Sequence, residues 1–356
     1  MRPKAHLRAL FIGWAIAALL APPAPAMELK PDTSAAFDAY VRATETRMDD
    51  DLRQDHFLAV DDLPDARRQE AYAQLGRGQI YIRERHTLED GKSIHVPGGL
   101  IHHCVGVVFV PGATLSQTVA VLQDYDNHEN IYKPDVRRSK LLERDGNKLR
   151  IYLQFYHKSL VTVVLNANFD VVCTEVSGTR SMSASRSTRI VEVANSGKPD
   201  EHELPVGQGH GYMWRLDTYW RVEEKDGGVY VQNETIALTR RVPEVVSWLV
   251  NPLLRSIPKS VLTNLLNATR RALANAPASA TAARPAQFDR GPARFRPPGR
   301  LFSIRCCLPI PNGANVPQKN PRGYRTDVPE FLRFSREFGR RSRAGQQLCE
   351  SAVAAL

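Results

Sequence analysis

The sequence predicts an α+β fold: an antiparallel sheet of about six to seven strands followed by a long C-terminal helix, preceded by a helical N-terminal extension. Three observations lead there. The stretch VTVVLNANFDVVC puts Val161, Val163, Leu165, Ala167, Phe169, Val171 and Cys173 on one face and Thr162, Asn166, Asn168 and Asp170 on the other, the period of a half-buried strand. Asp145-Gly146 and Asp226-Gly227-Gly228 separate apolar runs in the manner of hairpin turns. After Pro243 the spacing of apolar residues becomes helical, with Val261, Leu262, Leu265, Leu266 and Ala268 on one side of the segment.

Residues 1–26 stand apart. Arg2, Lys4 and Arg8 precede the apolar run Ala9–Leu20, and Ala24-Pro25-Ala26 is a small-x-small cleavage site, the pattern of a secretory signal peptide. A secreted or periplasmic protein is expected. No later run reaches the length of a spanning helix.

Residues 27–99 read as a helical extension. Ala36, Phe37, Tyr40, Val41 and Met48 approximate one apolar helix face, a second short helix covers Asp65–Leu75, and a short strand is expected within Gln79–Arg85. Residues 100–275 form the main domain. LIHHCVGVVFVPG is a strand stopped by Pro111-Gly112, and a helix follows with Thr114 as N-cap. RSKLLER and KLRIYLQFY form a hairpin, whose second strand shares the face of Leu149, Ile151, Leu153 and Phe155. A tight loop at Lys158-Ser159-Leu160 would set Phe155 opposite Val163 and Leu153 opposite Leu165. The polar strand SMSASRSTRIVEV, a Gly-rich loop containing His210, and the hairpin YMWRLDTYWRVEE/VYVQNETIALTRR come next. In the terminal helix Pro252 is expected to break the chain and Pro258 to begin the last segment.

The net charge of +10 suggests a nucleic-acid binder, but its distribution does not. Residues 278–356 hold 14 Lys+Arg against five Asp+Glu, whereas 27–277 hold 31 basic and 33 acidic side chains. The main domain therefore lacks the basic footprint such a partner requires. Residues 276–356 are Pro- and Arg-rich without periodicity and are expected to be mostly disordered, as a read-through extension or a basic arm. Of the five cysteines, Cys104 and Cys173 fall in strands and are expected to be buried thiols; Cys306, Cys307 and Cys349 lie in the tail.

The segment VLQDYDNHENIYKPDVRRSKLL concentrates Asp124, Asp126, His128 and Glu129. A metal would need three or four convergent ligands, and adjacent His128 and Glu129 diverge on a helix, as His102 and His103 do on a strand. The segment is read as a structural seam, and no metal or cofactor is assigned. Its helix, the Tyr125/Tyr132–Pro134–x–Val136 turn and the strand with Ser139 and Leu141 are similar to the START-like (SRPBCC) superfamily. ETIALTRRVP followed by an amphipathic helix resembles the family too, so the likeness covers about 100–273. It implies the helix-grip fold, with a cavity between sheet and terminal helix that holds a hydrophobic small molecule or lipid.

An apolar sheet face must be covered. The cavity candidates are Leu153, Phe155, Val163, Leu165, Phe169, Trp214, Leu216 and Trp220 from the sheet and Leu262, Leu265 and Leu266 from the helix. Trp214 and Trp220 are expected on one side and Tyr219 on the other. Arg215, Asp217, Arg221 and Glu234 are expected to form a solvated ladder on the opposite face. There is no G-x-S-x-G elbow, no phosphate-binding loop and no catalytic constellation. The expected function is binding without turnover, with transient membrane contact; the alternatives are a cyclase- or hydrolase-like enzyme using a polar cavity residue, and a partner-binding domain whose cavity is filled.

Overall fold

The structure, a computed structural model, describes residues 28–89, 91–158, 162–241 and 244–275, with side chains from residue 258 onward in the last helix. Residues 1–26, expected to be a signal peptide, the tail with its three cysteines, and the 159–161 loop with Val161 lie outside the described residues.

Helix α1 (Pro31–Arg53) begins with proline in its first turn, where the missing amide costs nothing, and buries Phe37, Tyr40, Val41, Thr44 and Met48 along one face. A turn-rich segment places Phe57, Leu58 and Val60 beside Ala71 and Leu75 of α2 (Asp65–Gly76). Strand β1 (Tyr81–Glu84) and the small hairpin β2 (Leu88–Glu89) and β3 (Lys92–Ser93) complete the extension. Strand β4 (Gly99–Pro111) leads to α3 (Leu115–Gln123), whose start is a capping box: Gln117 N donates to Thr114 Oγ1 at 3.3 Å and Thr114 N to Gln117 Oε1 at 3.1 Å. A 3₁₀ turn (Tyr125–Asn127) and the single-turn α4 (His128–Ile131) follow. The remaining strands are β5 (Val136–Asp145), β6 (Lys148–Lys158), β7 (Thr162–Ser177), β8 (Arg180–Ala194), β9 (His202–Glu203), β10 (Arg215–Lys225) and β11 (Gly228–Arg240); helix α5 (Glu244–Asn275) closes the described chain.

The antiparallel α+β expectation holds, but the sheet has nine strands rather than six or seven. Its order is β1-β4-β11-β10-β8-β7-β6-β5, with β9 beside β8. The four residues of β1 and two of β9 are too short to show alternation. The β10–β11 turn is Asp226-Gly227, both at positive φ (55° and 74°), as a type I′ hairpin demands.

Three expectations need correction. Phe155 pairs with Leu165 and Leu153 with Ala167, a shift of two residues from the expected register. A two-residue slip keeps every side chain on its face, so the apolar pattern alone cannot exclude it. Helix α5 runs unbroken through Pro252 and Pro258. Each proline removes one intrahelical hydrogen bond, at about 3 kcal/mol, and Leu262, Leu266 and Leu273 bury enough apolar surface against Cys104, Val108 and Val231 to offset it. Finally, Arg215, Asp217, Arg221 and Glu234 are not a solvated ladder. Asp217, Arg221 and Glu234 are at most 2% exposed, because α1, the following segment and α2 cover that face.

Around β4, β11 and β10 the sheet is thus buried on both sides. Its outer face, carrying His103, Val107, Met182, Tyr219, Ile236 and Leu238, packs under the extension. Its inner face meets α3 and α5. At Gly106 the approach is closest: a Cβ there would lie 2.7 Å from Leu266 Cδ1 and 3.1 Å from Leu262 Cδ2, so only glycine admits the helix. Cys104 and Cys173 are buried free thiols on β4 and β7, which β11, β10 and β8 separate.

Candidate ligand cavity

Between α5 and the inner face lies a cavity of about 640 Å³ that opens to solvent. Leu153, Phe155, Val163, Leu165, Phe169, Leu216, Trp220, Leu262 and Leu265 line it, nine of the eleven side chains the sequence nominated. Leu266 does not; it is fully buried in the contact that seals the helix to the sheet. Trp214 does not either. It lies one residue before β10 begins and packs with Phe37, Ile236 and Leu238 under α1, so alternation extended backwards from Trp220 assigns it the wrong side.

The wall also contains side chains that apolar patterning passes over. Thr218 and Thr235 are direct cross-strand neighbours, Thr218 also faces Ser185, and Thr235 faces Cys104, so a polar row crosses β4, β11, β10 and β8. One step further along β11 lies Asn233, 1% exposed, whose Oδ1 accepts from Thr235 Oγ1 at 2.6 Å. The alternation Asn233, Thr235, Ala237, Thr239 in the sequence carries this information. The opposite residues Ile236 and Leu238 are more apolar, however, and draw the reading to the other face.

The seam segment contributes Tyr125, His128 and Tyr132 to the wall. The ring of His128 lies between the two tyrosines, with centroids 4.7 and 4.9 Å away. The carboxylates beside it are structural, as expected. Asp126 Oδ1 accepts from Leu141 N at 2.9 Å, and Glu129 and Ser139 bond reciprocally, stapling α4 to β5. Among the described residues no three His, Cys, Asp or Glu side chains form a metal-binding group.

Burial makes this interior electrically neutral. It lowers His128 to about 4, holds His102 below the usual imidazole range, and pushes the Cys104 thiol up to about 11 and the Tyr132 hydroxyl up to about 12. His102 Nε2 bonds Thr239 Oγ1 at 3.0 Å. Charged lining groups, Lys133, Asp135, Arg240 and Arg271, come from the Tyr132–Val136 turn, the end of β11 and α5. The exposed members of the lining, Lys133, Pro134, His210, Val261, Asn264 and Arg271, mark where the cavity meets solvent.

The Gly-rich loop bordering that opening is held rather than free. Glu192, 7% exposed, accepts from His210 N and His210 Nδ1 at 2.9 Å through Oε2 and from Tyr212 N at 3.1 Å through Oε1. His210 itself is exposed and stacks on Tyr212.

No family model matches the sequence, and no curated protein is significantly similar to it. Solved structures do match. A STAR-related lipid transfer protein from Xanthomonas axonopodis is 22% identical over 54% of this chain and 93% of its own, at a TM-score of 0.35. Zhui aromatase/cyclase, from a Streptomyces species, is 14% identical over 48% of this chain and 93% of its own, at 0.34. Human STARD10 is 10% identical over 58% of this chain and 80% of its own, at 0.33. These likenesses are to START-like proteins. The case for what the cavity does rests on its own geometry.

Proposed function

We propose that this chain is an exported helix-grip protein that holds a neutral hydrophobic small molecule or lipid between the sheet and α5, without covalent turnover. The observation that carries the reading is the cavity of about 640 Å³, whose wall includes many Leu, Phe, Val and Trp side chains. That volume is in the range of small-molecule sites, and it speaks against a domain whose interior is merely filled. A general acid or base needs a pKa near the working pH. In this interior the imidazole of His128 is held well below neutrality and the thiol of Cys104 well above it. Export is carried by the signal-peptide pattern of residues 1–26 alone. Contact with a membrane is taken to be transient; among the described residues no helix is long and apolar enough to cross one.

Native mass spectrometry of the protein, purified without detergent from the envelope or medium of its own host, tests this. A bound species of a few hundred daltons that organic solvent extracts supports the proposal. An unliganded protein that also fails to take up a neutral hydrophobic fluorophore such as N-phenyl-1-naphthylamine rejects it.

A further inference from the structure

We propose that the ligand is a neutral amphiphile whose leading end delivers a hydrogen-bond-accepting oxygen, of carbonyl or hydroxyl type, to Nδ2 of Asn233. This rests on the cavity reading above and makes it specific. Asn233 is a buried part of the wall, paired across the sheet with Gly106 on β4 and Trp220 on β10. The hydroxyl of Thr235 donates to Oδ1 at 2.6 Å, which leaves the NH₂ group as the end without a partner. That nitrogen is buried and has no acceptor among the described residues. Its neighbours offer none from their side chains: glycine has no side chain, and the indole of Trp220 only donates.

Buried donors in folded proteins are almost always satisfied, because an unmade hydrogen bond costs about 1–3 kcal/mol. Asn233 lines the cavity with almost none of Nδ2 accessible, so an occupant supplies the acceptor as this side chain turns toward it. Thr218 and Ser185 continue the polar row from Thr235 and can accept from or donate to a hydroxyl at the same end of the ligand. The remainder of the wall, Phe155, Leu165, Phe169 and Leu265 among it, suits an apolar body. The leading end carries no charge. A carboxylate pressed against Asn233 would be desolvated without a counter-ion, since the cationic lining groups sit at Lys133, Arg240 and Arg271.

The experiment uses the full chain loaded with N-phenyl-1-naphthylamine and competes the probe with three twelve-carbon compounds: a methyl ketone, the alkane and the carboxylate. The ketone is expected to displace the probe about tenfold more tightly than the alkane, the ratio one net hydrogen bond produces, and more tightly than the carboxylate. Asn233→Leu should level ketone and alkane while still binding the probe. Isotope-edited infrared spectroscopy of ¹³C-carbonyl ketone bound to the wild type should show a red-shifted stretch, which needs no variant and so survives a folding failure; Asn233→Ser, smaller and polar, is the second variant. Equal displacement by ketone and alkane, tightest binding of the carboxylate, or a red shift that persists in Asn233→Leu would overturn the assignment, the last by showing that water or a threonine is the donor; Asn233→Ser, whose hydroxyl can still donate, should keep part of the shift. If the probe never binds, the cavity reading fails first, and the two failures are therefore distinguishable.

Discussion

Nε2 of His103 lies 2.8 Å from Oε1 of Glu234, and both side chains are 1% exposed. The imidazole's other nitrogen is 3.0 Å from the hydroxyl of Tyr40, which in turn accepts from Thr87 N at 2.9 Å. Burial lowers His103 despite the carboxylate beside it. The ring is therefore neutral, donating to Glu234 and accepting from Tyr40. Burial alone would raise Glu234, but the hydrogen bond from His103 and the charges of Arg47 and Arg85 outweigh it and keep the carboxyl ionised. Arg47 reaches the same oxygen at 2.5 Å. The chain thus ties α1 and the segment after β1 to β4 and β11, which makes the extension part of the main domain's stability.

Tyr40→Phe should therefore destabilise the protein by about 1–3 kcal/mol, since it strands both Nδ1 of His103 and the amide of Thr87 in the interior. Glu234→Leu should cost more, about 3–5 kcal/mol, because Arg47 and Arg85 lose a buried counter-charge. Urea denaturation followed by circular dichroism measures both. A loss below about 0.5 kcal/mol for either would mean that the extension docks through its apolar face alone.

The response to acid separates two buried groups of opposite sign. Between about 6.5 and 4 the unfolded chain binds a proton that folded His128 refuses, so this residue makes stability fall as the pH drops. Asp217 acts the other way. Burial, only partly opposed by Arg215 and Arg186, pushes its carboxyl up to about 6, so the folded chain takes the proton first and gains stability from about 6 down to its ordinary value of 3.8. At about 1.4 kcal/mol per pH unit, His128→Phe should lose about 2 kcal/mol less than the wild type between pH 7 and 5. Asp217→Asn should lose about 1 kcal/mol more over the same range. Parallel pH profiles for wild type and both variants would contradict the burial of these groups.

The seal between helix and sheet predicts a coupled pair. Gly106→Ala places a methyl group 2.7 Å from Leu266 Cδ1, in a site where Leu266 has no exposed surface to retreat to. Overpacking of this kind costs about 1–3 kcal/mol. Leu266→Ala alone should cost about 2–5 kcal/mol through the cavity it leaves. Combined, the substitutions partly fill one another's defect, so the double variant should lose less than the two single losses added together. Additive losses in thermal denaturation would show that α5 does not lean on Gly106.

The sequence exposes some of this architecture and hides the rest for physical reasons. In β6 and β7 one face is apolar and the other polar, so Leu153, Phe155, Leu165 and Phe169 declare their side at once. In β10 and β11 both faces are buried, and the polar-looking one is paired with residues far away along the chain: Glu234 with Arg47, Arg221 with the carbonyl of Phe57, Tyr219 with Glu45. Local patterning treats such charges as solvated because it cannot see the helix that covers them. The same blindness hides Asn233 and Thr235, whose polarity argues for solvent until α5 is placed over them. Trp214 fails for a smaller reason: strand alternation stops where the strand does.

Glu192 gives the last prediction, because it is the one buried carboxylate spent on the cavity's rim among the described residues lining or holding it. Its two oxygens take three hydrogen bonds from His210 and Tyr212, and a Cβ on Gly209 would lie 2.7 Å from Oε2, so loop and carboxylate are fitted closely. Glu192→Ala removes both acceptor oxygens, and with them all three hydrogen bonds, while leaving the β8 backbone pairing with β7 in place. The loop should then open more often, so amide exchange at residues 207–213 should quicken, and bound N-phenyl-1-naphthylamine should leave several-fold faster with a smaller change in its rate of entry. Glu192→Gln should fall between the two, since one amide oxygen can still accept from the backbone. Faster exchange without faster release would place the ligand's exit elsewhere, between the Tyr132–Val136 turn and α5, where Lys133 and Arg271 are exposed. Unchanged exchange would mean that the glycines, not the carboxylate, hold the loop.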